Sequence, residues 1–171
     1  MTPSLPLATR PLTPHARPPT NAAKGGGWCY DEDMCAKRSL TRLGSSTKFS
    51  PTSGCRCMNV LDDGSANDDD CNCITLPYCD GASFSGNREK PWRGLMHRGA
   101  RNLNATIEYA LDNLGMTGAT QFVLFGESAG GLATFLHADR TIDKVAAAAP
   151  AISTVAGSAW AAPAWATSWI I

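Results

Sequence analysis

The sequence predicts an α/β fold, a mostly parallel sheet with flanking helices, and three observations carry that expectation. Apolar strand-like runs alternate with helix-like segments, as parallel sheets with helical crossovers require. From about Arg98 to Leu114, the residues Leu103, Ile107, Ala110, Leu111 and Leu114 recur at helical spacing and form one apolar face. The apolar run Gln121–Phe125 then breaks abruptly at Gly126-Glu127-Ser128-Ala129-Gly130 before helix-like Leu132–Leu136.

The residues up to Lys24 hold six of the eleven prolines, no acid, and the bases Arg10, Arg17 and Lys24. They read as a disordered leader or a mispredicted start, and no apolar stretch of signal-peptide length follows Met1. Pro18–Lys24 is not expected to serve as a strand, because proline cannot donate to a sheet ladder. Gly25-Gly26-Gly27-Trp28-Cys29-Tyr30 follows, with glycines that permit close backbone approach. Asp31–Arg38 reads as a short helix with acids in its first turn and bases in its last, an arrangement the helix dipole favours. Cys29 and Cys35 flank that turn closely enough to pair.

All seven cysteines lie between Cys29 and Cys79, a crowding that points to disulfides and an oxidising compartment. Cys55-x-Cys57 and Cys71-x-Cys73 lack the usual zinc spacing and have no histidine nearby. The aspartates at 62, 63, 68, 69 and 70 do not follow the calcium-loop pattern. No metal and no cofactor is therefore expected. Ile74–Cys79 reads as a short strand entering the polar loop Asp80–Gly86, and loops leaving strand ends of open sheets tend to build ligand sites. Gly115 is placed to end the helix begun near Arg98. Asn104-Ala105-Thr106 matches the glycosylation acceptor pattern but adjoins the apolar face, so chance explains it better. Val145–Ala149 is expected as a further short strand. After Pro150 the pattern dissolves into an Ala- and Trp-rich stretch, 151–171, that reads equally as a buried segment or an exposed tail. The organisation expected is thus a leader to Lys24, an α/β domain over 25–150, and a divergent tail.

The chain of 171 residues has zero formal net charge, so nothing in it suggests a nucleic-acid partner, and no apolar run approaches the ~20 residues of a membrane span. Oligomeric state leaves no signal.

Gly126-x-Ser128-x-Gly130 between strand and helix is the arrangement that lifts a serine hydroxyl off a sheet as a nucleophile. The helix beginning there aims backbone N–H groups at the anion formed on attack. Serine needs a base and a group that orients it, and hydrolases with this turn order the three as Ser, acid, His. The histidine after Ser128 is His137, and nine helical residues at ~1.5 Å each put it roughly 13 Å away. A structural role suits His137 better, and His97 and His15 precede Ser128 in the wrong order. One oxyanion donor is expected from the Ala129 N–H and a second from a Gly-rich loop, which suits Gly25–Trp28.

Together these residues resemble the pectin acetylesterase/Notum family of α/β-hydrolase-like esterases, the plant-type members most. Gly25–Cys29 is similar to the family's oxyanion loop, Tyr78-Cys79-Asp80-Gly81-Ala82-Ser83-Phe84-Ser85-Gly86 to its central loop motif, and Ser128–Ala133 to its nucleophile segment. Arg98-Gly99-Ala100-Arg101 precedes a long helix, as it does there. The resemblance runs from about Gly25 to Pro150. It implies secreted, disulfide-bonded enzymes that remove acyl groups from oxygen, acetyl from a polysaccharide such as pectin in the plant type. Carried over by position, it makes Ser128 the nucleophile, gives Gly27, Trp28 and Ala129 the oxyanion N–H groups, and leaves His137 and Asp139 non-catalytic. It further implies a partial member, truncated or mis-spliced and incomplete at both ends, whose catalytic Asp and His lie beyond these residues. The alternatives are a non-catalytic carbohydrate- or protein-binding remnant, and a Notum-type protein deacylase.

Overall fold

The computed structural model describes residues 17–24, 26–45, 47, 71–77, 79–152, 154–160 and 168–170. The Cys55-x-Cys57 pair, the acidic cluster and the first sixteen residues lie outside them. In chain order the elements are β1 (Arg17–Lys24), α1 (Glu32–Ser39), β2 (Cys71–Pro77), α2 (Gly99–Asn113), a 3₁₀ turn (Met116–Gly118), β3 (Gln121–Glu127), α3 (Ala129–Ala148), β4 (Thr154–Trp160) and β5 (Ser168–Ile170). The strands form one sheet in the order β2-β1-β3-β4-β5, parallel except for the β4–β5 pair. The α/β expectation is met, with α2 and α3 as the crossovers. Both crossovers step the same way along the sheet, so right-handed connection puts the two helices on one face, where they touch.

The helices follow from the sequence. Asp31 caps α1, its carboxylate accepting the Met34 N–H at 2.8 Å, with Glu32 and Asp33 in the first turn. In α2 the residues Leu103, Ile107, Ala110 and Leu111 are buried as the spacing predicts, and Gly115, at φ 73°, stops the helix. These side chains join Phe122 and Leu124 from β3 and Ala133 and Val145 from α3 in one core. Val123 and Phe125 are buried as well, so β3 is covered on both faces, as central parallel strands are. The Asn104 side chain is engaged between the helices: it accepts from Lys144 at 2.7 Å and donates to Glu108 at 2.9 Å.

Three expectations are corrected. Pro18–Lys24 does form strand, and a central one. The two prolines fall where the β1–β2 register is irregular, and pairing with β3 begins only at Thr20, so neither has to donate within the regular ladder. Val145–Ala149 is not a strand: α3 continues to Ala148, with Val145 and Ala149 buried four residues apart and the alanines between them exposed. Alanine is the best helix former, and no residue there breaks the helix. The sheet also does not stop near Pro150, because β4 runs parallel to β3 from the Gln121–Thr154 pair to the Glu127–Trp160 pair.

Candidate active site

The sheet order places the site. From β1 the chain moves to β2 on one side, and β3 then returns to the other side of β1. Between β1 and β3 the topology switches direction, and the segments leaving their carboxyl ends diverge to form a crevice. Ala23 pairs with Gly126 and Lys24 with Pro77, so the glycine loop after β1, the loop after β2 and the turn at Ser128 leave the same edge side by side.

The turn itself is tightly specified. Ser128 has φ 54° and ψ −123°, a conformation L-residues with side chains rarely adopt, and it immediately precedes the 20-residue α3. A Cβ on Gly126 would stand 2.2 Å from the Gly130 carbonyl oxygen, so residue 126 has to be glycine. The first turn of α3 is buried through small residues, Ala129, Gly130 and Gly131, while the bulkier Leu132, Phe135 and Leu136 face outward. Ser128 is exposed, and among the described residues nothing hydrogen-bonds its hydroxyl. The Ala129 N–H, in the first helical turn, has no partner within the helix and lies at the positive end of the dipole.

Beside it runs the glycine loop, with Gly27 at φ 67° and Trp28 partly exposed. Several contacts fix its course. The Cys29–Cys35 disulfide ties it to α1, the Cys29 N–H donates to the Gly81 carbonyl at 2.9 Å, and Arg38 Nη1 donates to the Gly26 carbonyl at 2.6 Å. Gly81, at φ 65°, permits the close pass, since a Cβ there would meet Cys29 Sγ at 2.4 Å. The structure thus brings Gly27, Trp28, Ser128 and Ala129 to one sheet edge.

His137 is not brought to the nucleophile. Its Nε2 lies 3.2 Å from the Ser83 carbonyl, which can only accept, so Nε2 carries a proton. Burial holds its pKa below the ordinary imidazole value, against the raising effect of the Ser83 bond. His97 likewise sets Nδ1 3.2 Å from the Asp80 carbonyl. Cys79 is no rival nucleophile, because burial first and the Asp80 charge second push its thiol up, against an opposing pull from Arg38. Among the described residues, no cluster of His, Cys, Asp and Glu is arranged to hold a metal.

Two residues matter here that sequence reasoning did not single out. Asp80, 4 % exposed, organises the loop after β2: Oδ1 accepts from the Ala82 and Phe84 N–H groups at 3.1 and 3.3 Å, and Oδ2 from Gly86 at 3.0 Å. The available signal was the glycines around it, since a Cβ on Gly99 would sit 2.1 Å from Asp80 Oδ2. Ser83, fully buried, accepts from the Trp28 indole at 2.6 Å and donates to the Ala129 carbonyl at 2.5 Å. No local signal marks it, because its partners are 55 and 46 residues away.

A family model described as pectinacetylesterase matches residues 22–160. Over 121 residues the chain is 40% identical to pectin acetylesterase 5 of Arabidopsis thaliana, covering 68% of this chain and 28% of that protein. It is 30% identical over 119 residues to the palmitoleoyl-protein carboxylesterase notum2 of Xenopus laevis, covering 67% of this chain and 24% of that one. A solved structure of the Wnt deacylase Notum from Drosophila superposes with a TM-score of 0.68 at 27% identity, over 84% of this chain and 43% of that one. The matched stretch therefore spans less than a third of these sequence relatives and less than half of that structure. With an α/β-hydrolase-like sheet, a strained serine turn at its switch point and a family match over most of its length, the chain belongs to the pectinacetylesterase family.

Proposed function

We propose that the chain carries the nucleophile and oxyanion donors of a serine carboxylic-ester hydrolase that removes acetyl groups from a polysaccharide such as pectin. The observation that carries this is Ser128, held at φ 54° and exposed at the switch point, with its hydroxyl unbonded among the described residues. In this reading Ser128 Oγ attacks the acetyl carbonyl, and the Ala129 N–H with those of Gly27 and Trp28 stabilises the resulting oxyanion. Losing one such donor typically costs about 3–4 kcal/mol of barrier. The alkoxide leaves as the sugar hydroxyl, and water releases acetate from the acyl-enzyme. The reading assigns the general base and its orienting carboxylate to sequence that the relatives possess and the matched stretch does not cover, since His137 and His97 are turned to other partners. No cofactor is required. The Cys29–Cys35 disulfide supports a secreted location, where such bonds persist.

The test is hydrolysis of 4-nitrophenyl acetate and acetate release from acetylated pectin by the intact protein. Ser128→Ala should reduce both to background, and undiminished turnover in that variant would sink the proposal. A second reading, a non-catalytic carbohydrate- or protein-binding remnant, is favoured by the absence of an imidazole at Ser128 among the described residues. Verified transcripts separate the two: an in-frame continuation encoding Asp and His supports the enzyme, and a stop after Ile171 supports the remnant. A Notum-type protein deacylase would instead leave pectin untouched and release a fatty acyl group from a peptide.

A further inference from the structure

Ser83 sits where the glycine loop, the loop after β2 and the start of α3 meet, and its hydroxyl has only one way to be used. The Trp28 indole is solely a donor, so Ser83 Oγ accepts from it at 2.6 Å, which leaves the single hydroxyl proton for the Ala129 carbonyl at 2.5 Å. The bonds form a one-way chain from Trp28 through Ser83 to Ala129, and hydrogen bonds in such a chain polarise one another in a buried setting. Its two ends are the residues whose backbone N–H groups the esterase reading takes as oxyanion donors. A carbonyl oxygen has two lone pairs, so the Ser83 bond adds to the helical bonding of Ala129 without competing with it.

The rest of Ser83 is equally constrained. It has φ 51° and is followed by Phe84 at φ 60°, two successive residues in the left-handed region. Asp80 holds this turn through the N–H groups on either side of Ser83, and the Ser83 carbonyl receives the His137 Nε2–H. A serine that only filled space would need neither bond from its hydroxyl.

We infer that Ser83 is a positioning residue: through its hydroxyl it holds the Trp28 and Ala129 backbones in register, so that the two oxyanion donors act as one unit. This rests on the esterase reading, and two readouts keep the failure of each separable. In the intact enzyme acting on 4-nitrophenyl acetate, Ser83→Ala should lower kcat about tenfold, with KM changed less than about twofold, because the donors are misplaced and not removed. Trp28→Phe removes the indole N–H and should act similarly, and the double variant should fall no further than the worse single one. Losses that multiply, or wild-type kcat in Ser83→Ala, would overturn the inference.

The second readout needs no turnover. In ¹⁵N-labelled protein, the Gly130 amide belongs to the peptide whose carbonyl Ser83 holds. Trp28→Phe should move that resonance when Ser83 is present and leave it in place in the Ser83→Ala background. An equal shift in both backgrounds overturns the relay. If the wild type hydrolyses no acetyl ester, the proposed function fails while the resonance cycle still judges Ser83. If Ser83→Ala does not fold, Trp28→Phe alone carries the test: a displaced Gly130 amide and a lowered kcat at constant KM support the relay, and an unmoved amide refutes it.

Discussion

Ser128 and Ser83 have nearly the same uncommon φ, 54° and 51°, and opposite surroundings. Ser128 is exposed with no hydrogen bond to its hydroxyl among the described residues, whereas Ser83 is fully buried with its hydroxyl both accepting and donating. Strained backbone costs of order 1–3 kcal/mol at each such residue, so both must be held there by their neighbours. The neighbours differ in kind. At Ser128 they are packed glycines and a helix start, which fix the backbone and leave the side chain alone. At Ser83 they are an aspartate, an indole and a carbonyl, which engage the side chain and the turn together. Strain with an idle hydroxyl points to chemistry, and strain with a saturated hydroxyl points to assembly.

The comparison can be broken most forcefully at Asp80. Asp80→Ala removes the carboxylate that accepts from the buried Phe84 N–H and the partly buried Ala82 and Gly86 N–H groups. At roughly 1–3 kcal/mol for the buried group and less for the other two, the loss should be about 3 kcal/mol. The urea midpoint would report it. A near-unchanged midpoint would mean that the turn does not depend on this carboxylate.

Gly126→Ala probes the other serine's support. The added Cβ would press on the Gly130 carbonyl at 2.2 Å, and overpacking of this sort costs about 1–3 kcal/mol. The variant should lose stability and, on the proposed function, hydrolysis of 4-nitrophenyl acetate together, the second because the Ser128 turn shifts.

Glycine at each serine sharpens the contrast. Ser128→Gly relieves strain and forfeits no hydrogen bond seen among the described residues, so it should raise stability by about 1 kcal/mol while turnover disappears. Ser83→Gly gains the same relief but strands the Trp28 indole and one bond to Ala129, so it should lower stability by about 1 kcal/mol. Opposite signs in thermal melts are expected, and equal signs would erase the distinction.

The smallest effect concerns His137. Its folded-state pKa is lowered, chiefly by burial, so the unfolded chain binds a proton at higher pH than the folded one. The stability it contributes is complete above about pH 6.5, the unfolded value, and is lost as pH falls through the folded value. The melting-temperature advantage of the wild type over His137→Gln should therefore shrink between pH 7.5 and pH 5. A constant gap would mean that His137 does not titrate differently on folding.

Much of the fold could be read locally. α2 announced itself by apolar spacing, and the serine turn by Gly126, where a Cβ would meet the Gly130 carbonyl. The Pro18–Lys24 misreading comes from context supplied far along the chain, and the Val145–Ala149 one from alanines that continue α3 locally. Pro18 and Pro19 argue against a strand until the ladder is known to begin at Thr20, and Val145–Ala149 reads as strand until its burial at i and i+4 is seen. At the candidate site, spacing points to Ser128 and Ala129 and glycine content to the Gly25–Trp28 loop, while the choice of Gly27 and Trp28 within it comes from the family resemblance. Ser83 left no such pattern, because its hydroxyl's partners lie far along the chain, and Asp80 was signalled only by the glycines packed around it.

The placement of β1 also has a consequence in time. It is the first of the described strands to be made, yet its partner across the switch point is β3, with Thr20 opposite Val123. At ~5–20 residues per second, the intervening stretch of about a hundred residues takes roughly 5–20 s to synthesise. Until then β1 offers an unpaired row of amides and carbonyls on one side, and closing so long a loop makes this pairing a slow step compared with helix formation. The crevice that seats Ser128 therefore cannot exist before β3 is made, and the newborn chain carries an open sheet edge for the interval before it does.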